Sequence, residues 1–200
     1  MIIMINDQRI CYFTLDLPAN PVVDGTTWKS PPAGNSTVSW HDPGILTDEV
    51  NAILHRAGLE PEVVFLWAWN KRNDGRDIYD IHSDGIYQNP DQQRCALNWL
   101  MEGESSVEWW SVNGGTPEVT HKDDRYFCFT RWRWIDSTPS RLAEWNGKNP
   151  AMVSIKQPHS VRVLPSSTSA RRSVSIRFKS NPTMESALIR LSSRVVSVNR

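Results

Sequence analysis

Arg171-Arg172-Ser173-Val174-Ser175-Ile176-Arg177-Phe178 alternates with a period of two along its whole length, the mark of a β-strand with two unlike faces. Val174, Ile176 and Phe178 share one face with Arg172, and Arg171, Ser173, Ser175 and Arg177 share the other. An apolar face must pack against another layer, and helices elsewhere in the chain can supply it. The polar face then points into a closed interior where a ligand would lie. A guanidinium held there suits a carboxylate, because its planar fork meets both oxygens at once. Arg171, with Ser173 as a second donor, is the candidate, and Arg172 belongs to the other face.

Working outward, strands are predicted at 151–155 and 159–164, at 126–134, 106–112 and 94–101, and at 63–69 and 78–82. A further strand lies before Pro18, with Ile10, Tyr12, Phe13 and Leu15. The run 63–69 is β-branched and aromatic throughout, as in a strand buried on both faces. Thr47-Asp48-Glu49 opens a helix on Ile45, Leu46, Val50, Ile53, Leu54 and Ala57, and Gly58 closes it. Apolar residues at helical spacing over 184–191 predict a second helix. The segment 18–44 reads as mostly loop, 140–145 as a short helix or turn, and 120–124 as a solvated loop. Roughly eight short strands with two helices predict a mainly β fold with supporting helices: a double-stranded β-helix, jelly-roll or cupin-like, in one domain over 1–200 with its core about 62–180.

His82-Ser83-Asp84, with His159 far downstream, adds two imidazoles and one carboxylate. That set can bind a non-haem Fe(II) on one side and leave coordination positions open. Residues two apart on a strand point to one face, so His82 and Asp84 can reach a single ion. A competing pair, His121-Lys122-Asp123, sits in the polar run and has the weaker strand context. His41 and His55 read as structural or exposed.

These residues resemble the Fe(II)/2-oxoglutarate-dependent oxygenases, in particular small members of the type found in phages and marine microbes. The resemblance rests on His82-Ser83-Asp84, Ala96-Leu97-Asn98-Trp99, Pro158-His159 and the 171–178 run, and covers roughly residues 45–180. It implies that His82, Asp84 and His159 are both the iron ligands and the catalytic centre. It also implies that Arg171 and Ser173 hold the distal carboxylate of 2-oxoglutarate, and that Asn98 lines the cofactor pocket. The activity implied is dioxygen-dependent hydroxylation of a small-molecule or peptide substrate, with release of succinate and carbon dioxide. Trp67, Trp69, Trp99, Trp109 and Trp110 are candidates for an apolar substrate mouth, with the core as the alternative for each.

Two other readings compete: a cupin-like metal-binding or structural protein without turnover, and a zinc or manganese hydrolase on the same ligands. A module that only binds has no need of open metal positions, and hydrolysis gives no role to Arg171 and Ser173. Basic and acidic residues balance at 22 each, which leaves no footprint for nucleic acid. No apolar run reaches a membrane span, and the apolar start lacks the basic flank of a signal peptide. Cys11, Cys95 and Cys128 are too sparse for a disulfide framework. A cytoplasmic protein of phage or bacterial origin is expected.

Overall fold

The computed structural model describes residues 10–31, 35–70, 82–85, 95–109, 117–122, 128–132, 141–145, 151–155, 159–163 and 170–199; within 82–85 and 117–145 it describes the backbone path. The chain is mainly β. Its strands are β1 (Tyr12–Leu15), β2 (Ser36–His41), β3 (Pro61–Trp69), β4 (His82–Gly85), β5 (Cys95–Glu102), β6 (Ser105–Trp109), β7 (Pro117–Lys122), β8 (Cys128–Trp132), β9 (Arg141–Trp145), β10 (Ala151–Ile155), β11 (His159–Val163), β12 (Arg171–Phe178) and β13 (Val195–Asn199). They form a seven-stranded sheet ordered β13-β1-β10-β5-β12-β3-β2 and a six-stranded sheet ordered β7-β8-β4-β11-β6-β9. Their pairings are antiparallel.

Two helices cover one face of the larger sheet. Helix α1 (Asp48–Arg56) is capped by Thr47, whose side chain accepts from the Val50 amide at 3.4 Å, and acids occupy its first turn. Gly58, at φ +64°, ends it: the Gly58 amide donates to His55 O and the Leu59 amide to Leu54 O, both at 2.9 Å. That reciprocal pair satisfies carbonyls the helix leaves open, and the left-handed turn it requires favours glycine. Helix α2 (Met184–Arg190) is capped in the same way by Thr183. Thr47→Ala should lower unfolding free energy by about 1 kcal/mol in a denaturant titration, since the Val50 amide loses its acceptor.

The strand alternation sets the layers. Val174, Ile176 and Phe178 pack with Leu97, Trp99, Val153, Leu54, Met184 and Leu191 in the large core beneath the helices. On the opposite face of the same sheet a smaller cluster joins Leu100 and Met152 to Val107 and Trp109 of the six-stranded sheet. Tyr12 of β1 stacks on Trp109 of β6, with centroids 5.3 Å apart and planes 8° from parallel. The two sheets therefore face each other.

Several sequence expectations change. The 18–44 stretch is not all loop: β2 pairs along β3 as an edge strand, with half-buried residues that give no clear two-faced pattern. Residues 141–145 form β9 and not a helix or turn, paired along β6. His121 lies on β7, an edge strand of the six-stranded sheet, and not in a loop. The tail carries β13 after α2, paired to β1. Strand pairing with a distant partner overrides weak local signals in each case. Trp110 and Asp123 lie outside the described residues. No helix among the described residues is long and apolar enough to cross a membrane.

Candidate functional site

The strand register sets positions 82 and 159 side by side. β4 and β11 are neighbours in the middle of the six-stranded sheet, and His82 and His159 are direct cross-strand partners. Partners in an antiparallel pair lie about 5 Å apart at Cα and occupy the same face. Asp84 is two residues along β4, so positions 82, 84 and 159 share that face. The face is the inner one: His159 is only 4% exposed and is the cross-strand partner of Trp109, whose ring stacks on Tyr12 of the other sheet. The side chains of His82 and Asp84 lie outside the described residues. Among the described residues no group of three His, Cys, Asp or Glu converges as a metal site.

Position 121 is different. It is registered with Phe129 of β8, which is registered with Asp84, so a whole strand separates β7 from β4. At roughly 4.8 Å per strand, position 121 is about 10 Å from position 84 and farther from β11. Position 121 therefore lies apart from positions 82, 84 and 159.

Across the interior, β12 presents the polar face expected of it. Arg171, Ser173, Ser175 and Arg177 are all buried, whereas Arg172 is half-exposed and pairs with Glu102 at 3.3 Å. Arg171 donates through Nη1 to Ser173 Oγ at 3.0 Å and through Nε to Ser105 Oγ at 3.2 Å, so its guanidinium bridges the two sheets. Burial lowers its pKa from the usual guanidinium range to about 10. It remains a cation at neutral pH, and its burial disfavours that charge. An anion seated beside it offsets the cost. Register places Trp69 opposite Arg171 and Trp67 opposite Ser173.

Asn98 also faces inward and is buried, but its amide is already engaged. Nδ2 donates to Ser154 Oγ at 3.1 Å and to the Ala96 and Met152 carbonyls at 3.0 and 3.3 Å, while Oδ1 accepts from Ser175 at 2.7 Å. Ser175 in turn accepts from Arg177 Nη1 at 2.8 Å, and that guanidinium lies 5.5 Å from the centroid of Phe65. Asn98 braces β5, β10 and β12 behind the pocket, and both its amide hydrogens have acceptors. Asn98→Ala should destabilise the fold by about 1–3 kcal/mol, read by denaturant titration, because Ser154 and Ser175 lose a buried partner.

The Trp candidates divide. Trp99 is fully buried on the helix side of its sheet, with its indole N–H on Pro18 O at 3.0 Å, and belongs to the core and not to a mouth. Trp67, Trp69 and Trp109 lie on interior faces. Ser105, Ser154 and Tyr12 were not foreseen; each acts through a partner far away in sequence, and no local pattern marks it.

No family model matches the sequence, and no curated protein does. A solved structure of Cellulomonas parahominis L-ribose isomerase with L-psicose is similar at 13% identity and a TM-score of 0.35, over 70% of this chain and 59% of that one.

Proposed function

We propose that this chain is an Fe(II)/2-oxoglutarate-dependent dioxygenase on a double-stranded β-helix. The reading is carried by one observation: His82 and His159 are cross-strand partners on an inner face, opposite a sheet whose buried Arg171 is held by Ser173. The chain path supports the architecture. It alternates between sheets through β3, β4, β5 and β6, passes to β9 beside β6, and winds back through β10, β11 and β12. β7 and β8, from the Trp-rich middle of the sequence, extend the smaller sheet beyond β4.

In this reading His82, Asp84 and His159 hold the iron. The donor set fits: two imidazoles and a carboxylate at one side of an ion leave positions for a bidentate keto acid and dioxygen. Arg171 and Ser173 take the distal carboxylate. Ser105, which touches Arg171, is four residues along β6 from Trp109, the cross-strand partner of His159. Four strand residues span roughly 14 Å. A five-carbon dicarboxylate held at one end by Arg171 and Ser173 would suit a gap of that order once side chains reach inward. Bound together, iron and 2-oxoglutarate supply dioxygen-dependent oxidation of a C–H bond with release of succinate and carbon dioxide. The residues of this chain orient them, and Trp69 and Trp109 help exclude water from the interior.

An anaerobic titration tests the reading. Fe(II) and 2-oxoglutarate together should give a weak visible charge-transfer band that neither gives alone, and air should then release succinate. Iron binding indifferent to 2-oxoglutarate would favour a metal-binding protein without turnover. Hydrolytic activity with zinc or manganese would favour the hydrolase.

A further inference from the structure

We propose that the helical side of the molecule carries a second ligand site, an anion pocket for a phosphate group, separate from the interior between the sheets. A pocket of about 240 Å³ is lined by Ile53, Arg56 and Ala57 of the α1 end and by Arg190, Leu191, Ser193 and Arg194 of the α2 end. Three guanidinium-bearing residues thus line one small cavity, and no carboxylate lines it. Its volume suits a phosphate or a small phosphomonoester and is below the range of larger organic ligands.

The charge state of this cluster is unusual for the chain. Basic and acidic residues balance overall, and Arg172 and Lys179 each have a carboxylate partner, Glu102 and Glu60. The Arg190 side chain donates to Gly58 O at 2.6 Å, a neutral acceptor, and no carboxylate among the described residues pairs with Arg56, Arg190 or Arg194. Cations at the ends of α1 and α2 favour the helix dipoles, which accounts for Arg56 and Arg190 singly. It does not account for Arg194, which sits in the following turn, nor for the convergence of all three. A tetrahedral dianion would supply oxygens to several guanidinium forks at once, the geometry for which arginine is suited. The Ser193 hydroxyl adds a neutral donor, and Ile53, Ala57 and Leu191 give an apolar wall for the organic part of an ester.

The test is a titration of the full chain with inorganic phosphate, followed through arginine Nε–Hε resonances by NMR, with chloride at equal ionic strength as control. Saturable shifts with phosphate and none with chloride are expected. The double variant Arg56→Gln/Arg194→Gln should weaken binding by at least about tenfold; neither side chain makes a hydrogen bond among the described residues, so the fold should persist, as circular dichroism would check. Arg190 is left in place because it also holds the Gly58 carbonyl. A parallel titration with phenyl phosphate identifies the source: tighter binding than phosphate assigns the pocket to a phosphomonoester, and equal binding to free phosphate. Equal response to chloride, or unchanged phosphate affinity in the double variant, would overturn the proposal.

Discussion

Replacing His159 with alanine is expected to lower Fe(II) affinity by at least about a hundredfold while the fold survives. Loss of a residue that merely supports a metal ligand typically costs about 10–100-fold, and loss of a ligand should cost no less. His159 is 4% exposed, but it lines the interior between the sheets and lies outside the large core beneath the helices. Its truncation should therefore cost stability no more than an ordinary substitution, on the order of 1–2 kcal/mol. His82→Ala should behave alike, since positions 82 and 159 are partners in the same strand pair. Anaerobic Fe(II) titration with a circular dichroism control checks both. Iron bound with unaltered affinity by either folded variant would remove that histidine from the metal centre.

Arg171→Leu should weaken 2-oxoglutarate by at least about tenfold and leave iron binding nearly unchanged. A hydrogen bond to a charged group contributes roughly 1.5–3 kcal/mol, and every 1.4 kcal/mol is a factor of ten. Arg172→Leu should leave cofactor affinity intact, because Arg172 is half-exposed on the other face and paired with Glu102. An exposed pair of that kind is worth at most about 1 kcal/mol. The burial that lowers the Arg171 pKa to about 10 sets its pH behaviour. Below pH 10 the group is protonated in both folded and unfolded chains, so the cost of burying it is constant through neutral pH. As pH rises above about 10, the folded chain sheds the proton first and that cost is relieved. Cofactor binding through Arg171 should accordingly be flat from pH 6 to 8 as far as this group is concerned. Isothermal titration of 2-oxoglutarate into the two Fe(II)-loaded variants distinguishes them: loss in Arg172→Leu and not in Arg171→Leu would contradict the inward face of β12.

The faces of β12 were legible because alternation is a local property. Eight residues of strict period two leave one way to bury Val174, Ile176 and Phe178, and a slip by one residue would place Arg171 in the large core. The helix over α1 was legible for the same reason: Thr47 and Gly58 mark its ends through their own backbone chemistry. β2, β9 and β13 were not. They lie at or near sheet edges, where a strand need not carry a two-faced apolar pattern, and their hydrogen bonds depend on partners the local sequence does not name.

What this sequence determined by itself is therefore the set of candidate residues and the face each occupies on its own strand: His82 with Asp84, and Arg171 with Ser173. Only the tertiary structure decided which strands are neighbours. It set His159 against His82, brought Ser105 under the Arg171 guanidinium, and gave Asn98 four protein partners. It also moved Trp99 into the helix-side core. The physical reason is that side-chain direction along a strand follows from the pleat, residue by residue, whereas register between distant strands is settled by burying both faces of two sheets at once.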